Sequence, residues 1–345
     1  MAKKKISIKD IAKELGVSIT TVSFVINGKA KEKRISDVLT LKVEEYIKEV
    51  NYKPSHLAQS LRSGKSKVIV FMVEDISNYF FSTIAKLIEE KAYVNGYKII
   101  YCSTENKPEK AKEMIETFKN RNVDGFIITP TPDLEVTIQE LLDEDFPVVL
   151  FDRWLPAVDC NYVIIENEKS AADATAYLIK TGCKYVGFVT LDSDQNQMQD
   201  RLKGYVKTML ENGFQTNILK MSYEGAISER ESIEVIQKFI QTSPKLDSIL
   251  FATNFLALKG LAALKQLNSQ IPSDISIVTF DDHFFFNLYQ PKITAIEQPL
   301  ELIAEKLMEG ILLQLKNDND EAHTMKVVLP TKFHIRESTM KIEKD

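Results

Sequence analysis

From Val68 onward the chain alternates short apolar runs with longer amphipathic stretches, and this alternation constrains the fold more than any other feature. The runs "VIVFMV", "KIIYC", "DGFIIT" and "PVVLF" are separated by helical patterns over 79–95, 108–121 and 134–143. From about Val163 the pattern begins again: helix 167–181, "YVGFVT", helix 197–213, a weaker strand near 217–221, helix 227–241, "SILFA", helix 254–268 and "SIVTF". Strand, helix, strand alternation predicts parallel sheets with helices on both faces, and two such halves in tandem place a cleft between them. In open parallel sheets ligands bind beyond the carboxyl ends of the strands. Those ends carry Asp152 after "VVLF", Asn254 after "SILFAT", and Asp281 and Asp282 after "SIVTF", while Arg201 of "RLKGY" faces the same side. Carboxylate, amide and guanidinium groups form the bidentate hydrogen bonds that suit adjacent sugar hydroxyls.

Charge separates the start of the chain from this body. Residues 1–65 hold 12 Lys and 2 Arg against 7 Asp and Glu, a net +7, which leaves −12 for the remainder of a chain whose total is −5. A basic segment ahead of an acidic body suggests a nucleic-acid-binding head. Its sequence, "SIKDIAKELGVSITTVSFVING", gives Ser7 as cap of a helix with Ile8, Ile11, Ala12 and Leu15 on one face, ended by Gly16. Ser18 caps a second helix whose inward residues are Val22 and either Val25 or Ile26, stopped at Asn27-Gly28. Two short helices joined by a tight turn make a helix-turn-helix, and a third helix over 38–50 completes a small core. The next segment, "NYKPSHLAQSLRSGKS", predicts about two turns of helix after Pro54, with Ser55 as cap and Gly64 as stop. An isolated helix needs roughly 12–15 residues to persist in water, so this one should fold only against a partner.

Taken in order, "IKDIAKELGVSITTVSFVING", "NYKPSHLAQSLRSGKS", "VEDISNYFFSTI", "VDGFIITP", "VVLFDR", "RLKGY", "SILFATNFLALKGLAAL", "IPSDISIVTFDD", "ITAIEQPL" and "IRES" resemble the lac repressor/galactose repressor family over nearly the whole chain. The resemblance implies an N-terminal all-α headpiece, a hinge helix, and an α/β core of two subdomains like the periplasmic sugar-binding proteins. The expected boundaries are 1–53 for the headpiece, 54–66 for the hinge and 67–345 for effector binding and dimerisation. Within the last, subdomain 1 takes about 67–165 and 292–325, and subdomain 2 about 166–291 and 326–340, with crossings near Ile165, Pro291 and Lys326. The implied partners are double-stranded operator DNA, a small effector such as a sugar or sugar phosphate, and a second copy of the chain.

The resemblance also supplies residue roles. Ser18, Thr21, Ser23 and Asn27 match phosphate-contacting positions, and Ile19, Thr20 and Phe24 match base-reading ones. Ser7, Lys29 and Ser55 join this DNA-facing set. On the hinge helix, Leu61 matches a leucine that wedges the minor groove open, with Ala58 on the same face. Asp152, Arg201, Asn254 and Asp281 match effector-binding positions, and Phe80 and Phe81 the apolar positions of the same pocket. Several residues depart from the family pattern. Phe24 stands where many members have Arg, Tyr79 where Pro is usual, and Phe255 where many have Asp; the basic loop "GKAKEKRIS" is longer than the lac repressor's. Tyr223 lies in a segment that aligns poorly, and Trp154 suits either stacking on a sugar ring or a surface role.

Other functions find little support. The three cysteines are far apart and the four histidines scattered, so neither a metal nor a cofactor is expected. Asp281-Asp282 is a carboxylate pair, but adjacent residues at a strand end point in different directions, which argues against glycoside hydrolysis. No phosphate-binding loop or nucleophile elbow offers an enzyme alternative. "MAKKKISIKD" lacks the apolar core of a signal peptide and no run is long enough for a membrane helix, so a cytoplasmic location is expected. "TMKIEKD" after "IRES" is too short for a heptad-bearing tail, which favours a dimer over a tetramer. The rival reading is a sugar-binding module without regulatory DNA binding; the basic head argues against it.

Without an Arg at position 24, the second helix would read thymine methyl groups through Ile19, the Thr20 methyl and Phe24. Phe24→Ala is expected to relax operator choice or weaken it, as measured by selection of binding sites from random duplexes. Unchanged sites and affinities would assign Phe24 to packing alone.

Overall fold

A computed structural model of the protein describes residues 6–52, 65–222, 228–316 and 325–340. The chain divides into two units, Met1–Lys67 and Val68–Asp345. The expected hinge helix with Ser55, Ala58 and Leu61, and Tyr223, lie outside the described residues.

In the first unit, α1 (Ile8–Leu15), α2 (Ile19–Ile26) and α3 (Asp37–Glu49) enclose a small core. Ser7 caps α1 reciprocally: its hydroxyl accepts from the Asp10 N–H at 3.3 Å, and its own N–H donates to the Asp10 carboxylate at 2.8 Å. Gly16 ends α1 at φ +65°, a conformation that glycine adopts without steric penalty. Ser18 caps α2 by accepting from the Thr21 N–H at 3.0 Å. Ile11, Ala12, Val22, Val25, Ala30 and Val43 are buried together, so Val25 rather than Ile26 is the inward residue of α2. Ala30 draws the basic loop into this core.

The second unit begins with β1 (Val68–Val73), α4 (Tyr79–Val94), β2 (Lys98–Ser103), α5 (Pro108–Lys119), β3 (Gly125–Ile128), α6 (Glu135–Asp143), β4 (Val148–Phe151) and β5 (Asn161–Ile165). It continues with α7 (Asn167–Lys180), β6 (Val186–Leu191), α8 (Asn196–Glu211), β7 (Asn217–Met221), α9 (Glu229–Thr242), β8 (Ser248–Phe251), α10 (Asn254–Gln266) and β9 (Ser276–Phe280). Then follow α11 (Phe284–Leu288), β10 (Thr294–Glu297), α12 (Leu300–Lys316), β11 (Lys326–Leu329) and β12 (Lys332–His334). Two six-stranded sheets result, ordered β11-β5-β4-β3-β1-β2 and β12-β10-β9-β8-β6-β7, parallel throughout except for the β10–β12 pair.

The period-two rule explains how one sheet serves two helix layers. Val70, Met72, Phe126, Ile128, Val148 and Leu150 point to the α5 and α6 face with Ile115 and Ile138. Ile69, Phe71, Ile127, Val149 and Phe151 point the other way, into a core shared with Ile84 and Ile88 of α4 and Leu307 and Ile311 of α12.

The sheets move two of the expected crossings. Residues 294–297 form β10 and pair with β9, so the second passage falls between β10 and α12 rather than near Pro291. Residues 326–329 form β11 and pair with β5 in the first sheet, so the third passage follows β11 rather than preceding it. The reason is local: "TAIE" is buried at three of its four positions and extends the second sheet beside β9 before the chain leaves it.

Helices α7 and α8 pack closely because Gly204 has no side chain. A Cβ there would lie 2.1 Å from the Glu168 carbonyl oxygen, a backbone atom. Gly204→Ala is therefore expected to destabilise the second unit by about 1–3 kcal/mol, the usual cost of overpacking. Chemical denaturation measures this, and an unchanged midpoint would show that the helices separate freely.

Candidate functional site

The strand ends beyond β4 and β9 turn the same way. Asp152 and Asp281, the residues immediately after them, have φ +66° and +64°. This left-handed conformation costs most L-residues about 1–2 kcal/mol, and Asp tolerates it better than most. At both sheets the strand stops abruptly and a carboxylate enters the space between the two subdomains. Asp152, Asp281, Arg201, Arg153 and Glu74 line one cleft there, with about 440 Å³ of empty space including its mouth. Phe80 and Phe81 form its apolar wall, backed by Phe151, whose ring centroid lies 5.7 Å from that of Phe80 and 6.0 Å from that of Phe81.

Arg201 is 2% exposed, an unusual place for a cation, and four contacts hold it. Its Nε donates to Asn167 Oδ1 at 2.8 Å, and Nη1 donates to the Ala252 carbonyl at 2.6 Å. The guanidinium carbon sits 4.2 Å from the centre of the Phe280 ring, and Nη1 is 3.8 Å from Asp281 Oδ2. Planar, delocalised and weakly hydrated, guanidinium is the cation best suited to such burial. Arg153 is pinned on the opposite side by an ion pair with Glu74, and it donates to Asn106 Oδ1 at 2.8 Å and to the Pro130 carbonyl at 3.2 Å.

Amides complete the lining. Gln298 donates to Asp281 Oδ1 at 2.6 Å, and Gln197 approaches Asp152 Oδ2 at 3.4 Å. Gln197 is 3% exposed, and its Oε1 is buried without a hydrogen-bond partner. An unsatisfied acceptor facing a polar cleft costs about 1–3 kcal/mol and marks where a ligand donor would bind. Burial pushes the Asp152 carboxyl up to about 6, against the opposing pull of the Arg153 and Arg201 charges and with added repulsion from Asp281 and Glu74.

Of the expected effector residues, Phe80, Phe81, Asp152, Arg201 and Asp281 converge on this space. Asn254 lines an adjoining compartment that shares Phe80, Asp281 and Gln298 with it. Asp282 is engaged elsewhere: Arg336 of "IRES" grips it at 2.9 and 2.5 Å, so the two neighbouring carboxylates do part company. Trp154 lies outside the cleft, packed on Tyr162 at 5.5 Å. Sequence reasoning missed Gln298, which the strand-end rule applied to β10 would have found, and Gln197, one helical turn before Arg201 on α8.

In the head, Ser18, Ile19, Thr20, Asn27 and Lys29 are exposed, with Ile19 at 44%. Thr21 and Phe24 are half-buried, and the Thr21 hydroxyl shares a 2.8 Å hydrogen bond with that of Ser18. Thr20 and Phe24 are one helical turn apart, so they present one face with Ile19 beside it. Ser23 departs from the expected row: it is buried, and the Asn27 side chain folds back to donate to its carbonyl at 2.6 Å. Lys33 of the basic loop lies over the Phe24 ring, 5.6 Å from its centre, and so places a cation beside the apolar reading surface.

An exposed second helix in a basic three-helix head, joined in one chain to a two-sheet ligand cleft, defines a ligand-responsive DNA-binding protein. Residues 7–55 match the bacterial regulatory proteins of the lacI family, and 175–339 match a periplasmic binding protein-like domain. A transcriptional regulator named RegA from Clostridium saccharobutylicum is 34% identical over 342 residues, covering 97% of this chain and 99% of that protein. A ribose operon repressor from Halalkalibacterium halodurans is 29% identical, covering 96% and 97%. The lac repressor dimer bound to operator and the anti-inducer ONPF shares the fold, with a TM-score of 0.84 at 22% identity, over 98% of this chain and 100% of that one. The chain belongs to the lacI family and is a DNA-binding transcriptional regulator.

The raised Asp152 carboxyl has a consequence for stability. A carboxyl that titrates near 6 folded and near 3.8 unfolded binds its proton more tightly in the native state, so the penalty for its charge is absent below about pH 3.8 and complete above about 6. Asp152→Asn removes that penalty and keeps a residue that tolerates the turn. The variant should exceed the parent in unfolding free energy at pH 7.5, by an amount on the order of 2 kcal/mol, with the gap closing toward pH 4. A variant less stable than the parent at pH 7.5 would show that attraction to Arg153 and Arg201 outweighs burial.

Proposed function

We propose that the protein is a cytoplasmic homodimeric repressor whose operator affinity is set by an uncharged carbohydrate held between Asp152 and Asp281. The observation that carries this reading is the make-up of the cleft: three carboxylates against two guanidinium groups, both of the latter already engaged. Hydroxyl groups donate readily to such carboxylates, and the Phe80–Phe81 wall accepts the apolar face of a sugar ring. A phosphate would meet net negative charge, so free sugars are favoured over sugar phosphates. The ribose operon repressor described above is named for a sugar, which agrees with this class of ligand.

In the head, Ile19, Thr20 and Phe24 would read bases, while Ser18, Thr21, Asn27 and the loop cations Lys29, Lys31 and Arg34 would hold phosphates. The segment 54–66 would couple the two functions. A helix this short would fold only against a partner, and ligand-driven closure of the subdomains would set whether two copies can meet on DNA. Nothing in this scheme requires turnover of the ligand. With Asp282 tied to Arg336, the carboxylate pair is not available as an acid and a base on one substrate.

A thermal-shift screen of free sugars and the corresponding sugar phosphates tests the ligand class. A free sugar at 100 times its dissociation constant should add about 2.7 kcal/mol to stability, and its phosphate little. A shift confined to phosphorylated sugars, or to none of either series, would contradict the reading.

A further inference from the structure

The cleft continues into a second compartment with different chemistry. It has about 590 Å³ of empty space and shares Phe80, Asp281 and Gln298 with the inner one as a common wall. The inner one is walled by ionised groups. The outer one has the carboxylates Asp281, Asp282 and Glu297 in its wall, together with rings from both subdomains: Tyr79 from the start of α4, and His283 and Phe284 around the start of α11.

These rings form a clasp across the mouth. Tyr79 meets His283 at 4.4 Å between centroids and Phe284 at 5.9 Å, and His283 meets Phe284 at 4.5 Å. They are nonetheless not sealed from solvent, since Tyr79 is 38% exposed and Phe284 58%. Exposed aromatic faces at the rim of a polar cleft call for an occupant. The fixed charges nearby are already engaged, Asp282 by Arg336 and Glu297 by His334 at 2.5 Å. The Asn254 side chain, in contrast, is 5% exposed and lines this compartment. An amide that lines the compartment, set beside aromatic faces and carboxylates that already have partners, suits a second pyranose or furanose ring. The hydroxyls of that ring would meet Asn254, and its C–H face the rings.

We infer that the ligand has two rings: an uncharged disaccharide or comparable glycoside, the first ring held by Asp152, Arg201 and Asp281 and the second by Asn254 and the Tyr79–His283–Phe284 clasp. This rests on the carbohydrate reading above. Tyr79, His283 and Phe284 then set ligand length, and the inner charged groups set which first ring is accepted.

Isothermal titration of the full-length protein with paired ligands tests it: D-glucose against cellobiose and maltose, D-galactose against lactose, D-mannose against mannobiose, and D-xylose against xylobiose. At least one disaccharide should bind about tenfold or more tighter than its monosaccharide. In Tyr79→Ala and Phe284→Ala that ratio should fall toward one. Both side chains are part-exposed, and an unchanged melting temperature of the free variants confirms that they fold. A monosaccharide that binds as tightly as every disaccharide containing it overturns the inference and leaves the carbohydrate reading standing. So does a ratio that survives in both variants while the two affinities fall together, because the clasp would then only close the cleft. If no sugar in either series binds, the carbohydrate reading fails and the two-ring inference with it.

Discussion

Arg201 is the cation on which the cleft is organised. It lies between a carboxylate that belongs to one side of the site and backbone groups that belong to the scaffold, and its charge is buried with them. Removing one partner of a buried charge leaves the other uncompensated at a cost of several kcal/mol, so the arrangement is tolerable only as a set. Asn167 from α7, the carbonyl after β8 and the Phe280 ring of β9 fix the guanidinium from three elements of the second subdomain. With Arg201 immobile, Asp281 has a fixed counter-charge, and Asp152 faces it from the first subdomain. The site is therefore preorganised on one side and completed from the other, the geometry needed for a ligand to draw two bodies together.

That division gives regulation its physical basis. A ligand can shift an equilibrium only by its differential affinity for the two states, and groups contributed by both subdomains supply such a difference. The unsatisfied Gln197 oxygen and the raised Asp152 carboxyl are both costs that the free protein bears and that ligand hydroxyls would relieve. The energy stored at the cleft is thereby made available to the coupling.

The body was legible in the sequence because fully buried strands and amphipathic helices differ sharply in period, and because the strand-end rule converts strand positions directly into site positions. Asp152 and Asp281 follow from that rule alone. Pairings between distant residues left no such trace. Arg153 with Glu74 and Arg336 with Asp282 span 79 and 54 positions, and no periodicity encodes them. The crossings were misplaced because β10 and β11 are four-residue strands whose sheet membership depends on tertiary partners. Gln197 is one of three glutamines in "DSDQNQMQD", and composition does not say which of them line the cleft. Helix α2, "ITTVSFVI", is apolar on nearly every side, so its faces are indistinct in sequence, and Ser23, which the resemblance places among phosphate-contacting positions, is buried.

The measurement that tests the account most directly is a ligand titration with and without saturating operator DNA, using the sugar that stabilises the protein and a duplex selected by it. Coupling through the two subdomains requires that operator change ligand affinity by the same factor by which ligand changes operator affinity, typically 5- to 150-fold. Equal factors in the two directions are the predicted result. Identical ligand affinities with and without operator would contradict the claim that this cleft controls DNA binding.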